Sequence, residues 1–210
     1  MSHTMIIAEA GVNHNGSMNI AKQLIDAASE AGVDMIKFQT FKADYLVTHN
    51  APKAEYQKTD NSMSQYDMLK KLELSFEQHK ELIYYCKSKK IKFFSTAFDM
   101  HSIDLLASLH LGLWKIPSGE ITNYLYLKKI ASYREPTLLS TGMSDEHDIT
   151  EAMKVLLNFG LKREDITILH CNTQYPTPWQ DVNLLAMLTI KNKFGVKIGY
   201  SDHTKGIEVP

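Results

Sequence analysis

The chain has 210 residues, 44% hydrophobic and 22% charged, and this ordinary globular composition excludes a disordered, collagen-like or coiled-coil protein. The chain has 23 basic and 24 acidic residues, and its net charge of -1 provides no general attraction for nucleic acid or an anionic membrane. The two cysteines support no disulfide framework, the apolar stretch before Glu9 is too short for a signal peptide, and no run approaches the roughly 18 apolar residues that span a bilayer. We therefore expect a soluble, cytoplasmic protein in which any anionic ligand is attracted by a local site.

Short apolar runs recur along the chain, and each is followed by a polar cluster and then by a helical pattern. Their hydrophobicity is continuous rather than alternating, which is typical of parallel strands that are buried on both faces. The seven predicted strands are 5–11, 34–40, 92–98, 113–119, 136–142, 166–171 and 196–202.

Amphipathic segments lie between these strands. The segment 20–32 is predicted to be a helix that ends at Gly32, and the segment 146–160 one that ends at Gly160. Ser75 and Gln78 have the spacing of a capping box and predict a helix that begins there. The polar stretch 42–65, which follows the second strand, is interpreted as a long inserted loop.

The spacing of the strand ends is roughly 20–30 residues, as in a βα unit, except for one interval about twice as long that contains the stretch 42–65. No glycine-rich dinucleotide fingerprint follows the first strand, and polar side chains end all seven strands, so a (β/α)8 TIM barrel is favoured over an open doubly wound sheet. A barrel typically needs about 250 residues. The sequence therefore predicts an α/β barrel that is incomplete, with about seven βα units.

In a barrel the carboxyl ends of the strands converge on one mouth. Two lysines and several hydroxyls collected there would suit a phosphate, or a phosphate with a carboxylate. The polar residues at the predicted strand ends are Glu9, Asn13, His14, Lys37, Gln39, Thr96, Lys115, Ser118, Glu120, Ser140, Thr141, His170, Tyr175, Ser201, Asp202 and His203.

Each of these residues also has a simpler structural interpretation. A strand-end serine or threonine often caps the following helix, and a single histidine is more often structural than a ligand. Lys37 and Lys115 lie in apolar runs, where the cost of burying a charge argues against chance placement. We interpret five further histidines in loops or helices as surface residues: His49, His79, His101, His110 and His147.

The strings AEAGVNHNGS, IKFQTF, FFSTAFD, WKIPSGEITN, LLSTGM, LHCNTQYPTPWQDVNL and GYSDHTKG resemble the sialic acid synthase family, which includes N-acetylneuraminate, legionaminic acid and pseudaminic acid synthases. The resemblance extends from Met5 to the last residue. It implies the condensation of phosphoenolpyruvate (PEP) with an N-acylated amino-hexose aldehyde, such as N-acetylmannosamine, to give a nine-carbon 2-keto acid and phosphate. It also implies a divalent cation, Mn or Mg, and a homodimer.

The resemblance assigns roles to the matching positions. Lys37, Thr96, Lys115, Ser118, Ser140 and Ser201 match residues that bind PEP, with Thr96 at its carboxylate end. Gln39 and Tyr175 match positions near the acceptor sugar, Glu9 and Glu120 match carboxylates suited to catalytic proton transfer, and His203 matches a metal ligand. Thr173 departs from the pattern, since some relatives have asparagine there.

The resemblance further predicts that residues 5–210 are part of the catalytic barrel, with the second histidine ligand and a C-terminal antifreeze-like domain beyond Pro210. On that basis the 210-residue chain itself is expected to be inactive. Two alternatives stay open: an aldolase barrel in which Lys37 or Lys115 forms a Schiff base with pyruvate, and a non-catalytic fragment that binds ligands without turnover.

Overall fold

The computed structural model describes residues 3–52 and 64–210. All seven predicted strands are confirmed, and each pairing between consecutive strands within a sheet is parallel. The strands are β1 (Ile7–Gly11), β2 (Met35–Thr40), β3 (Lys92–Ala97), β4 (Trp114–Ile116), β5 (Thr137–Ser140), β6 (Ile166–Cys171) and β7 (Lys197–Ser201).

Helices follow the strands in the alternation of a (β/α)8 barrel, and seven of its strands lie in the described part of the chain. The helices in the described ranges are α1 (Met18–Glu30), α2 (Ala43–Leu46), α3 (Gln65–Leu72), α4 (Phe76–Ser88), α5 (Met100–Ser108), α6 (Tyr124–Ser132), α7 (Glu146–Asn158) and α8 (Ala186–Phe194). None of them is long and apolar enough to cross a membrane.

The predicted helix signals are present. Gly32 and Gly160 follow the ends of α1 and α7 with positive φ angles of 72° and 114°, which glycine adopts without strain. Ser75 and Gln78 form both hydrogen bonds of the predicted capping box at the start of α4.

The chain divides into two compact units, Met1–Leu111 and Gly112–Pro210. In the first unit the strand order is β1-β2-β3. One face of this sheet packs against α1 and α4 and forms a hydrophobic core that includes Ile36, Phe38, Phe93 and Leu82. Because side chains alternate along a strand, Lys37 and Gln39 lie on the opposite face.

In the second unit the order is β4-β5-β6-β7. The register pairs Lys115 with Leu138, Ser140 with Leu169, and Cys171 with Ser201. Residues two apart on a strand share a face. Lys115, Ser140, Cys171 and Ser201 therefore lie on the same face of this sheet, at or near the carboxyl ends of its strands.

Two segments differ from the sequence-based expectation. The two edges of the predicted loop 42–65 are helical, because α2 covers residues 43–46 and α3 begins at residue 65. Residues 53–63 lie outside the described part of the chain. The predicted strand 113–119 is shorter in the structure. Pro117 cannot donate a ladder hydrogen bond, and a 3₁₀ turn at Ser118–Glu120 follows it.

Candidate active site

In the first unit, the carboxyl ends of β1 and β2 bring a carboxylate and an ammonium group together. Glu9 and Lys37 are register partners, and Lys37 Nζ forms an ion pair with Glu9 Oε2. The Lys37 side chain is only 14% exposed, whereas that of Glu9 is 52% exposed. Since a buried charge without a partner is costly, Glu9 makes the lysine in this apolar run tolerable.

Gln39 and Thr96 are register partners on the same face as Lys37. A Cβ atom on Gly11 would lie 3.3 Å from Glu9 Oε1 and 3.7 Å from Gln39 Nε2, so both polar groups border this glycine. Thr96 is 1% exposed, and its Oγ1 has no hydrogen-bond partner in the described part of the chain. Because an unpaired buried hydroxyl is unfavourable, Thr96 Oγ1 is suited to bond a ligand or a water molecule.

In the second unit, Lys115 lies on the short strand β4 between Trp114 and Ile116. The residue is 7% exposed, and its Nζ donates a hydrogen bond to the carbonyl oxygen of Ile116 at 3.0 Å. This carbonyl contact satisfies one of the three donors of the ammonium group. Lys115 therefore places a positive charge in a buried environment.

Ser118 lies at the start of the 3₁₀ turn that follows β4, where it meets the end of β5. Its Oγ accepts a hydrogen bond from the Gly142 amide at 2.9 Å and lies 3.4 Å from Cys171 Sγ. A Cβ atom on Gly142 would lie 2.4 Å from Thr173 Cγ2 and 2.9 Å from Ser118 Oγ. Gly142 therefore allows segments from three strand ends to approach closely, with hydroxyl and amide groups of the kind that bind anions.

Two further serines lie at strand ends of the second unit. Ser140 is the last residue of β5 and is 4% exposed. Ser201 is the last residue of β7, and its Oγ lies 3.4 Å from His203 Nε2. Both positions agree with their predicted location at the carboxyl edge of the sheet.

Glu120 ends the 3₁₀ turn that begins at Ser118. Burial raises the pKa of its carboxyl above the usual value, and a 2.7 Å hydrogen bond from Asn123 Nδ2 acts in the opposite direction. A carboxylate whose pKa is raised is a stronger base than an ordinary one, which suits it to proton transfer.

The loops that follow β6 and β7 are joined around His203. The Thr177 amide donates to the His203 carbonyl oxygen at 2.8 Å, and His203 Nδ1 is 2.6 Å from the carbonyl oxygen of Asn172. Since a carbonyl only accepts, Nδ1 carries the proton of this hydrogen bond. The exposed ring of Tyr175 lies 4.3 Å from the His203 ring, measured between centroids.

The NeuB family model matches residues 24–210 of this chain. The chain belongs to the NeuB family. It is 53% identical to the N,N'-diacetyllegionaminic acid synthase of Campylobacter jejuni and 51% identical to that of Legionella pneumophila, with 100% and 98% of the chain covered. The chain spans 63% and 59% of the length of these two relatives.

A solved structure supports the same relationship. The crystal structure of the N-acetylneuraminic acid (sialic acid) synthetase from Leptospira borgpetersenii in complex with citrate matches the NeuB chain with a TM-score of 0.85 and 31% identity. The match covers 100% of this chain and 68% of the other. The resemblance seen in the motifs is thus confirmed, as is the barrel fold.

The NeuB chain brings the predicted site residues together within each unit. The first unit has one group at its strand ends, and the second unit has another. The group in the first unit is Glu9, Lys37, Gln39 and Thr96. The group in the second unit is Lys115, Ser118, Glu120, Ser140, Tyr175, Ser201 and His203. The role of each residue stays a prediction.

Three histidine placements inferred from the sequence are wrong. His79, expected on the surface, is fully buried, because it lies on the face of α4 that packs against the sheet. His14 is also fully buried, and its ring packs 6.2 Å from the core residue Phe38, between centroids. His170 lines a pocket with residues of α7 and α8, so it faces the helices.

Two residues of the site were missed by the sequence reasoning. Gly142 lies inside the LLSTGM motif, and a glycine directly after a strand-end hydroxyl is a signal of close backbone approach. Asn172 orients His203 through its backbone carbonyl, and its Nδ2 donates to the Asp181 carbonyl oxygen at 3.1 Å. A backbone acceptor has no sequence signal, so this second contribution could not have been found.

His203 is the predicted ligand for a divalent cation. No cluster of three or more His, Cys, Asp or Glu side chains able to hold a metal occurs in residues 3–52 and 64–210. His203 nevertheless has the orientation of a metal-ligating imidazole: Nδ1 is bonded to a carbonyl, and Nε2, which has only the 3.4 Å contact with Ser201 Oγ, is the nitrogen that would coordinate. The described residues therefore fit one protein ligand of a cation site.

Proposed function

We propose that this chain contains the PEP-binding and acceptor-binding residues of a synthase that condenses PEP with an N-acylated amino-hexose aldehyde. The products are a nine-carbon 2-keto sugar acid and inorganic phosphate. The observation that carries the proposal is 53% identity over the whole chain to a named synthase of this kind, the Campylobacter jejuni enzyme. The strand-end groups described above supply the chemistry that this reaction requires.

The second unit offers the better phosphate site. The buried ammonium group of Lys115 supplies charge, and the hydroxyls of Ser118, Ser140 and Ser201 supply directed hydrogen bonds, as a phosphate ester requires. We also assign Lys37 and Thr96 to PEP binding, with Thr96 at the carboxylate end. The partnerless Oγ1 of Thr96 supports this assignment, because a carboxylate would satisfy it.

For the acceptor we favour a six-carbon aldehyde sugar that carries two acetamido groups. The two relatives above are named for a product with two N-acetyl groups, and PEP contributes three carbons without nitrogen to a nine-carbon product. We assign Gln39 and Tyr175 to this sugar. An amide can hydrogen-bond sugar hydroxyl or acetamido groups, and the exposed Tyr175 ring offers an apolar face.

The reaction forms a bond between C3 of PEP and the aldehyde carbon, whose oxygen takes up a proton. Water then adds to the cationic C2, and Glu120, with its raised pKa, is the base that takes the proton of that water. The C–O bond to phosphate breaks in the tetrahedral intermediate, and Lys115 stabilises the departing charge. We assign Glu9 to the proton transfer to the aldehyde oxygen: as the ionised partner of Lys37, it orients the ammonium group that donates the proton.

A divalent cation, Mn or Mg, bound at Nε2 of His203, would supply a Lewis acid for the aldehyde oxygen. The role of the chain itself is to orient the imidazole through Asn172 and to hold the two substrates. We further propose that residues 5–210 belong to one catalytic domain.

The test is phosphate release from PEP in the presence of the diacetamido aldehyde and Mn, measured with the longest reading frame that contains this chain. Lys115→Ala and His203→Ala should each reduce kcat/KM by at least about a hundredfold, the loss typical when one preorganised electrostatic group is removed. Lys154→Ala removes an exposed lysine of α7 and should leave the rate unchanged. Near-normal rates in both site variants would contradict the assignments.

A second measurement separates this reaction from the Schiff-base alternative. In ¹⁸O-labelled water, C–O cleavage leaves the released phosphate unlabelled, because the bridging oxygen departs with phosphorus. An aldolase of the alternative type would instead use pyruvate, and borohydride would trap it covalently on Lys37 or Lys115. Trapping of pyruvate on either lysine would overturn the proposed function.

A further inference from the structure

A chain of buried side-chain hydrogen bonds joins α4 to the carboxyl ends of β2 and β3. Thr40 Oγ1 lies 2.8 Å from His79 Nε2 and 2.7 Å from Ser95 Oγ, and His79 Nδ1 lies 2.8 Å from the Ser75 carbonyl oxygen. Thr40, His79 and Ser95 are each at most 2% exposed. A fully satisfied network in such an environment is rigid.

The direction of the chain follows from its one backbone acceptor. The Ser75 carbonyl can only accept, so His79 Nδ1 carries the ring proton, and burial lowers the pKa of His79 and keeps the ring neutral. Nε2 must then accept from the Thr40 hydroxyl. The Thr40 oxygen in turn accepts from the Ser95 hydroxyl, so every group has one defined role.

The network lies directly behind two residues of the candidate site. Thr40 follows Gln39 on β2, and Ser95 precedes Thr96 on β3. Gln39 and Thr96 are register partners on the opposite face of the sheet. The cross-strand bond between Thr40 and Ser95 therefore fixes the two strands relative to each other where the site residues project.

We propose that His79 is a positioning residue for acceptor-sugar binding, which acts through Thr40 to hold the neighbouring Gln39 in place. This inference rests on the proposed function. It gives a buried histidine a role at the site although the histidine itself touches no substrate.

Two pairs of variants test the proposal. The amide of His79→Gln reaches the position of Nε2 and keeps the contact with Thr40, whereas the amide of His79→Asn reaches only the position of Nδ1. Thr40→Ser keeps the hydroxyl, and Thr40→Val removes it. We expect His79→Asn and Thr40→Val to raise the KM for the acceptor about tenfold, with kcat within about threefold, since about 1.4 kcal/mol of lost binding free energy is a factor of ten.

A structural control separates positioning from general destabilisation. Leu82→Ala creates a cavity on the same buried face of α4 and lowers stability without touching the network. It should melt at a lower temperature and keep its KM. The two conservative variants, His79→Gln and Thr40→Ser, should also keep a KM close to that of the unchanged protein.

The outcomes are distinguishable from a failure of the proposed function. If the unchanged protein releases no phosphate, amide hydrogen exchange still tests the positioning role. Thr40→Val should accelerate exchange at residues 38–40 and 95–97, whereas Leu82→Ala should accelerate it along α4. An unchanged KM or unchanged strand-end exchange in Thr40→Val would overturn the positioning role. An equal rise in KM in Leu82→Ala would do the same.

Discussion

The carboxyl of Glu120 has a raised pKa because burial disfavours its ionised form, and the hydrogen bond from Asn123 opposes this effect. If Glu120 acts as the base toward water, it must be deprotonated, and kcat therefore rises as the pH increases through this raised pKa. Asn123 also accepts the Tyr126 amide as the N-cap of α6. Its side chain thus tunes the base and caps a helix at the same time.

Because Asn123 has both roles, a substitution there can change the pKa of Glu120 while it keeps the helix cap. Asn123→Asp keeps a capping oxygen but removes the donor and adds a negative charge, so the pKa of Glu120 rises further. We expect the acid limb of the kcat–pH profile to move to higher pH, and Glu120→Gln to lower kcat by about 10²–10⁴-fold.

The measurement is a pH series of phosphate release under saturating substrates. Asn158→Asp adds the same charge at the exposed end of α7 and should leave the profile in place. An acid limb that does not move in Asn123→Asp would argue against Glu120 as the base.

At the scale of secondary-structure elements, the segments after β4, β5 and β6 depend on Gly142 for their close approach. The Gly142 amide donates a hydrogen bond to Ser118 Oγ. The space that a side chain on residue 142 would need is filled by Thr173 and Cys171. A methyl group there must displace the proposed phosphate-binding hydroxyl or the loop after β6. Overpacking of this kind typically costs about 1–3 kcal/mol.

We therefore expect Gly142→Ala to raise the KM for PEP about tenfold or more, since each 1.4 kcal/mol of binding free energy is about a factor of ten. Thr173→Ser removes the methyl group 2.4 Å from the added Cβ and should partly restore the KM in the double variant. Gly119→Ala, which meets nothing within 4 Å, is the matched control. No recovery in the double variant would contradict this explanation.

The strand positions were predictable because parallel strands covered by helices require continuous apolar runs, and each of the seven runs contains a strand. His79 could also have been placed correctly. His79, Leu82 and Cys86 recur at helical spacing and form the buried face of α4, so the histidine belongs to an apolar stripe. His170 likewise shares a strand face with the buried Ile166 and Ile168.

Other features could not be derived from the sequence. The hydroxyl of Thr40 meets Ser95 only because β2 and β3 pair in one register, and hydrophobic runs do not define register to one residue. The tautomer of His203 depends on a carbonyl group 31 positions away. Such contacts depend on strand packing, whereas the sequence pattern reports only which faces are apolar.

For the molecule as a whole, two buried histidines and one half-buried histidine make stability depend on pH. Burial lowers the pKa of His14, His79 and His170 below the ordinary histidine value of about 6.5. Below about pH 6.5 the unfolded chain therefore binds more protons than the folded chain, and the free energy of unfolding decreases as the pH falls. Each histidine contributes a slope of up to about 1.4 kcal/mol per pH unit between its folded and unfolded pKa values.

We expect urea unfolding at pH 7.5, 6.5 and 5.5 to show a progressive loss of stability below pH 6.5. His79→Gln keeps the contact with Thr40 but cannot titrate, so its slope should be smaller, by up to one proton. His147→Gln, at an exposed position in the first turn of α7, should keep the slope of the unchanged protein. If the slope in His79→Gln equals that of the unchanged protein, His79 takes up its proton equally in the folded and unfolded states. That result would contradict its burial among Phe93, Thr40 and Ser75.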